Sequence, residues 1–274
     1  MTTITNLDSL RALTGLSQAS AKVSQASERI STGLRINRAS DDVGGMAVAN
    51  GLKTQIGSYN KVLDNVSQAS TVTQLIDTSL SQIVDILGYM RVAAVASESD
   101  TLSVAQRTAY QDEMDAYATS IDTIATNSTW NGTSLMTAAS TMNIQTGVNS
   151  GGTTTLSFDE ITSSELAVDS LLTTSTATAG LAVTAIDDAL DTVSTYQSYV
   201  GSMANVMESQ YNVATSAITN YSAAYGSIMD TDYAAETANL ASAQIQRDGA
   251  TAMLVQGNGM NRSLVDYLLS AVSQ

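Results

Sequence analysis

Catalysis in this chain would have to come from carboxylates, hydroxyls and a few bases, because histidine and cysteine are both absent. That removes thiol nucleophiles, disulfides, Cys/His zinc sites and any Ser-His-Asp triad. Carboxylate-only metal sites remain open chemically, but no stretch has the acidic spacing of a calcium loop. The expectation is no catalytic residue, no metal site and no cofactor. Asn127-Ser128-Thr129 and Asn131-Gly132-Thr133 fit the N-glycosylation pattern, as do Asn65, Asn220 and Asn261 with their neighbours. A pattern met this often in a Ser/Thr-rich chain discriminates nothing.

The charged residues with informative positions do capping and pairing chemistry. Ser40-Asp41-Asp42 and Asp230-Thr231-Asp232 offer N-cap oxygens and first-turn negative charge to two helices that follow them. Arg35 lies between two helical segments. It reads as a solvated charge, or as an ion pair with Asp41, Asp42 or another subunit. With 11 basic and 26 acidic residues the net charge is −15, which opposes binding to phosphate backbones. The same charge serves solubility, or keeps subunits apart until conditions favour assembly.

The elements that must position these groups are helices. Proline is absent, and it would cost roughly 3 kcal/mol in a helix interior. Aromatics make up only 5% of the chain, so its 43% hydrophobic content is mostly small and suits close helix packing. Ala12, Leu16, Ala19, Val23, Ala26 and Ile30 step by four and three, a heptad stripe on one helix face. Its flanks, Ser17, Gln18, Ser20, Ser24, Gln25 and Ser27, are polar but uncharged, as expected of a helix surrounded by other helices. Gly33 ends this segment. A second helix is expected from about 43 to 98, with the stripe Val66, Ala69, Thr73, Ile76, Leu80, Ile83, Leu87, Met90 and Ala94. Leu52, Ile56, Tyr59 and Leu63 step similarly, with a three-residue slip before Val66.

Tyr110, Met114, Tyr117, Ile121 and Ile124 mark a shorter third helix. From about 127 to 180 the chain is rich in Thr, Ser, Gly and Asn. There Asn131-Gly132 signals a turn, alternating runs near 140–160 signal a β-hairpin, and 173–180 reads as a linker. Helical periodicity returns near Leu181 and lasts to Met229. A last helix presents Ala234, Ala238, Ala241, Ile245, Ala252 and Val255, extended by Leu264, Leu268 and Val272. The fold class is therefore mainly α: a long antiparallel helical coiled-coil rod with a small β-hairpin region in the middle. The expected domains are an N-terminal helix and linker over 1–42, a central domain over 43–229 and a C-terminal helix over 230–274. The start, Met1-Thr2-Thr3-Ile4-Thr5-Asn6-Leu7, lacks the basic and apolar regions of a secretory signal. No run of about 18 apolar residues exists, so no membrane insertion is expected.

Two segments carry a family signal. Glu28-Arg29-Ile30-Ser31-Thr32-Gly33-Leu34-Arg35-Ile36-Asn37, followed by Ala39, Asp41-Asp42 and Gly45, resembles the N-terminal signature of bacterial flagellins. Asp230-Thr231-Asp232-Tyr233-Ala234-Ala235-Glu236-Thr237, followed by Leu240 and Ala243-Gln244-Ile245, resembles their C-terminal signature. Thr129-Trp130-Asn131-Gly132 is similar to the turn that opens the family's β-region. The chain departs by lacking a large variable middle, by Ser227 and Met229 where a base and an acid are usual, and by Asn261-Arg262-Ser263 where a proline is frequent.

The resemblance implies a structural subunit, not an enzyme, that polymerises with itself into an extracellular flagellar filament for motility. It implies export in the unfolded state by the flagellar type III system, and ends that are disordered in the monomer and form coiled coils around the filament channel. Its implied partners are an export chaperone, the filament cap and hook-junction proteins. A hook–filament junction protein of the same architecture is the alternative. The expected self-assembly residues are Leu16, Val23, Ile30, Arg35, Asp41, Asp42, Ile245, Val255, Leu264 and Leu268. In many flagellins a charged patch is read by a Toll-like receptor. Here its equivalent is Gly88–Ala96, where Arg91 matches but Tyr89 and Val92 replace an Arg and a Glu. Weak receptor binding is the expectation.

Overall fold

The computed structural model describes residues 7–272. It is mainly α-helical, with helices α1 (Leu7–Thr32), α2 (Val43–Ser97), α3 (Val104–Asn127), α4 (Thr176–Met229) and α5 (Tyr233–Val272). Two small antiparallel hairpins, β1 (Thr129–Trp130) with β2 (Thr133–Ser134) and β3 (Ser140–Gln145) with β4 (Thr153–Phe158), lie between α3 and α4 in sequence. The chain divides into two compact units, Met1–Thr54 with Asn220–Gln274, and Gln55–Thr219.

The Gln55–Thr219 unit holds the larger core. All nine residues of the expected α2 stripe from Val66 to Ala94 are buried. Opposite them, α4 buries Ala182, Ile186, Ala189, Val193, Tyr196, Val200 and Met207 in the same step of three and four. α3 adds Met114, Ala118, Ile121 and Ala125. Full burial of Ile76, Leu80, Ile83, Leu87 and Met90 contributes about 10 kcal/mol before chain entropy, at about 2 kcal/mol each. Val62 is buried where an unbroken heptad places it, so the slip expected before Val66 is absent. The side chain that misled the register is Leu63, which is only half-buried beside the core.

α2 as a whole is long and apolar enough to cross a membrane by length and composition. Its buried apolar residues from Val62 to Ala94 instead belong to the core cluster with α3, α4 and the hairpins, while Val43, Val48, Tyr89, Val92 and Val95 are exposed. Arg107 closes the end of α2: buried itself, it donates to the carbonyls of Ser97 (2.5 Å) and Ser99 (2.8 Å). Ser103 and Gln106 form a capping box that starts α3.

Asn131 and Gly132 both have positive φ, the turn geometry their dipeptide favours, and β1 and β2 pair around them. The second hairpin aligns Gln145 with Thr153 and buries Leu156 and Phe158. Two contacts fix the irregular segment after it: Asp122 accepts from the Ser163 N–H and hydroxyl (2.8 Å each), and Gln111 donates to the Leu171 carbonyl (2.7 Å). Helix α4 starts at Thr176, within the stretch expected to be a linker.

Candidate assembly interface

In the other unit the two signature segments meet. α1 ends on Gly33, whose φ of +73° is the left-handed conformation glycine adopts without strain. The chain then forms a short antiparallel bridge, Leu34 with Asp230. Thr231 N–H donates to the Gly33 carbonyl (2.9 Å) and Arg35 N–H to the Met229 carbonyl (2.6 Å). Ile36, Ala49 and Met229 form a small core beneath this clamp.

The charged residues named from sequence act locally here. The Arg35 guanidinium donates to the Ile228 carbonyl at 2.7 Å and sits 3.5 Å from that of Ser227. It satisfies the end of α4, where a cation also complements the helix dipole, and the expected pair with Asp41 or Asp42 does not form. Those two carboxylates accept backbone bonds instead. Asp41 Oδ2 takes the N–H of Asn37 and Arg38 (3.0 and 2.9 Å), which holds its carboxyl below the usual range. Asp42 Oδ1 takes the Gly45 N–H (2.9 Å) and starts α2. Asp232 Oδ1 starts α5 through Ala234 and Ala235 (2.8 and 3.2 Å). Arg29 reaches Glu236 at 3.8 Å, and Arg38 pairs with Glu28 at 2.9 Å.

From the clamp α1 and α5 run paired. α1 uses its expected stripe: Ala19 and Ala26 are buried, while Ala12, Leu16, Val23 and Ile30 are half-buried. α5 uses a different face from the one its apolar residues suggest. The covered positions are Glu236, Leu240, Ala243, Arg247, Ala250, Leu254, Gly257 and Asn261, an unbroken heptad. At Gly257 the helices approach closely, since a Cβ there would stand 3.0 Å from Ser9 Oγ. The stripe read from sequence, Ala234, Ala238, Ala241, Ile245, Ala252 and Val255, is exposed throughout. Ile245 is 72% and Val255 68% accessible, and Met253, Met260, Leu7, Leu10 and Leu13 are also exposed. The side chains of Leu264 and Leu268 lie outside the described residues.

The inner α5 stripe does not stand out by hydropathy because all its members except Leu240 and Leu254 are small, polar or charged. The available signal was the heptad spacing of Glu236, Leu240, Ala243, Ala250, Leu254 and Gly257, which is independent of hydropathy. The ends are helical here, but their pairing is thin. The only hydrophobic side chains it fully covers are Ala19, Ala26 and Ala243 among the described residues, and a polar groove of about 260 Å³ remains between Lys22, Arg29 and Glu236.

On α2, Tyr89 and Val92 are exposed, and Tyr89 stacks on Tyr117 at 6.0 Å. Arg91 is held by Asp187 through two bonds of 2.6 and 3.3 Å. The bond with Arg91 lowers the Asp187 carboxyl and raises the Arg91 guanidinium. No group of His, Cys, Asp or Glu suited to a metal occurs among the described residues.

A family model described as the bacterial flagellin N-terminal helical region matches residues 4–141, and one for the bacterial flagellin C-terminal helical region matches 183–268. Flagellin of Halalkalibacterium halodurans is 30% identical over 249 residues, spanning 89% of this chain and 91% of that protein. The flagellar filament 33 kDa core protein of Treponema phagedenis is 26% identical over 280 residues, 96% of this chain and 98% of its own. The crystal structure of Bacillus cereus flagellin superposes with a TM-score of 0.50 at 26% identity, covering 59% of this chain and 94% of that one.

Proposed function

The chain belongs to the bacterial flagellin family, and from that membership we propose that it is a structural subunit polymerising with itself into the flagellar filament. The observation that carries this is the free apolar stripe of α5. A helix with two heptad faces, one covered by α1 and one bare, has a place for a second helix that its own chain does not supply. The thin α1–α5 pair favours the same reading, since such helices gain most of their stability from tertiary or intersubunit packing.

In this reading the α1–α5 unit packs against other copies around the filament axis. Leu16, Val23 and Ile30 share their half-covered faces with neighbours, while Ile245 and Val255 are covered by neighbours alone. Arg35, Asp41 and Asp42 position the two helices by closing the ends of their connecting segments. Leu264 and Leu268 continue the contact. The protein acts outside the cell, is not an enzyme and needs no cofactor. It leaves unfolded through the flagellar type III system, with the chaperone, cap and hook-junction proteins as passing partners. A Toll-like receptor engages it weakly, because Tyr89 and Val92 offer no charge and Arg91 is already paired.

Copy number separates the filament subunit from a hook–filament junction protein. Mass spectrometry of sheared filaments should find this chain as the dominant component along their length. Detection only in traces at the hook-proximal end would replace the filament reading with the junction one.

A further inference from the structure

Trp130 is the one tryptophan of the chain. It is half-buried, packs against the core of the Gln55–Thr219 unit and lines a cleft of about 230 Å³ between α2 and β3. Val72 and Ile144 add apolar surface, and four carboxamides line the same cleft: Asn65 and Gln68 from α2, Asn143 and Gln145 from β3. No charged side chain lines it among the described residues. The unit around it holds three basic and seventeen acidic residues, so the neutrality of this cleft is a local feature.

Three of the carboxamides are held at one end and open at the other. Asn65 Nδ2 donates to the Gln145 carbonyl at 3.2 Å, which ties α2 to the hairpin. Gln145 Nε2 donates to the carbonyls of Gly147 and Asn149 at 2.6 and 2.8 Å. Asn143 Oδ1 accepts from the Thr155 hydroxyl at 2.6 Å. These bonds leave Asn65 Oδ1 and Gln145 Oε1 as acceptors and the Asn143 Nδ2 hydrogens as donors. Gln68 is exposed and makes no hydrogen bond among the described residues, so it offers both a donor and an acceptor.

A neutral sugar ring matches that set. One face of a pyranose presents C–H bonds polarised positive, which suit the negative face of an indole. Its edge carries adjacent hydroxyls, each both donor and acceptor, and a planar carboxamide pairs with two of them at once. A cation would find no carboxylate in the cleft, an anion would find no base, and a purely apolar ligand would strand the amides. The volume lies below the roughly 300 Å³ at which pockets for larger ligands begin, which suits a single ring. Side chains already fixed by hydrogen bonds also lose little rotamer freedom on binding.

We propose that the cleft between α2 and β3 binds a neutral pyranose sugar, with Trp130 against the ring and Asn65, Gln68, Asn143 and Gln145 pairing with its hydroxyls. The site does not depend on polymerisation.

Because Trp130 is the one tryptophan, its emission reports on this cleft alone. The full chain is titrated with glucose, galactose, mannose and N-acetylglucosamine. The emission should shift and saturate for at least one of them, with a Kd on the order of 1–10 mM for so small a ligand. Saturation-transfer NMR should show the ring C–H protons of that sugar receiving magnetisation from the protein. Gln68→Ala removes an amide without an intramolecular partner, so it should raise Kd about fivefold at an unchanged melting temperature. Gln74→Ala, on α2 outside the cleft, should leave Kd unchanged. Glucuronic acid should bind at least about tenfold more weakly than glucose, since no base receives its carboxylate. Methyl glycosides that bind as well as the free sugars identify the end of a glycan chain as the occupant, and methyl glycosides that fail identify a free sugar; either supports the site. No saturation with any of the four sugars, a response to glycerol equal to theirs, a wild-type Kd for Gln68→Ala, or glucuronic acid binding as tightly as glucose overturns it.

Discussion

Substituting Ile245 by Asp separates the two faces of α5. The side chain is 72% accessible and stands on the stripe that α1 does not cover. In the monomer the change touches no packed neighbour, and helix propensity alone costs about 0.5 kcal/mol. In a polymer the position would lose about 2 kcal/mol of apolar burial, the share of a full isoleucine still available. An unpaired carboxylate placed in the same contact adds at least about 2 kcal/mol more. The total of about 4 kcal/mol corresponds to roughly a thousandfold rise in critical concentration, at 1.4 kcal/mol per tenfold. Sedimentation of polymer against monomer concentration reads this directly, with circular dichroism to confirm unchanged helicity. Ala243→Asp is the contrast, because Ala243 is 3% accessible on the face toward α1 and its loss should reduce helicity as well as assembly. An Ile245→Asp protein that sediments at the wild-type critical concentration would refute the assignment of this stripe to a neighbour.

Arg35→Ala should lower the thermal stability of the α1–α5 unit by about 1 kcal/mol, a charged hydrogen bond discounted for exposure, and Arg35→Lys should recover only part of it. Differential scanning calorimetry gives both values. Burial pushes the Tyr196 hydroxyl up to about 12. Its folded value is raised above the unfolded one of about 10, so its stabilisation is complete below pH 10 and is lost as pH climbs toward 12. Absorbance at the phenolate band should show this tyrosine titrating last, together with unfolding. Tyr89→Arg with Val92→Glu should raise receptor potency more than tenfold in reporter cells, the gain expected from two interface charges. Equal potency before and after would place recognition elsewhere.

Long-range order was legible where packing is intramolecular and apolar. The α2 stripe from Val66 to Ala94 could be read residue by residue because large side chains fill one unbroken heptad and all are buried within the chain. The Asn131-Gly132 turn and the caps at Asp42 and Asp232 were legible because their chemistry is local. The α5 stripe was visible as a pattern, but its direction was not. Hydropathy marks an apolar face, and in the single chain that face stays bare while Ala243 and Gly257 take the contact with α1. Arg35 was legible as a residue of consequence but not in its partner. A guanidinium seeks acceptors of any kind, and the nearest were main-chain carbonyls of Ser227 and Ile228, distant in sequence. The register at Val62 was missed because Leu63 is the larger apolar side chain beside it.

The proposed state of this chain is an open helical polymer built through the bare face of its terminal helices. Electron microscopy of the purified protein across an ammonium sulfate series tests this, because the salt both screens the net charge of −15 and strengthens apolar burial. Long filaments of uniform diameter, growing in length with salt, are expected. Closed oligomers of fixed size, or monomers at every salt, would contradict it.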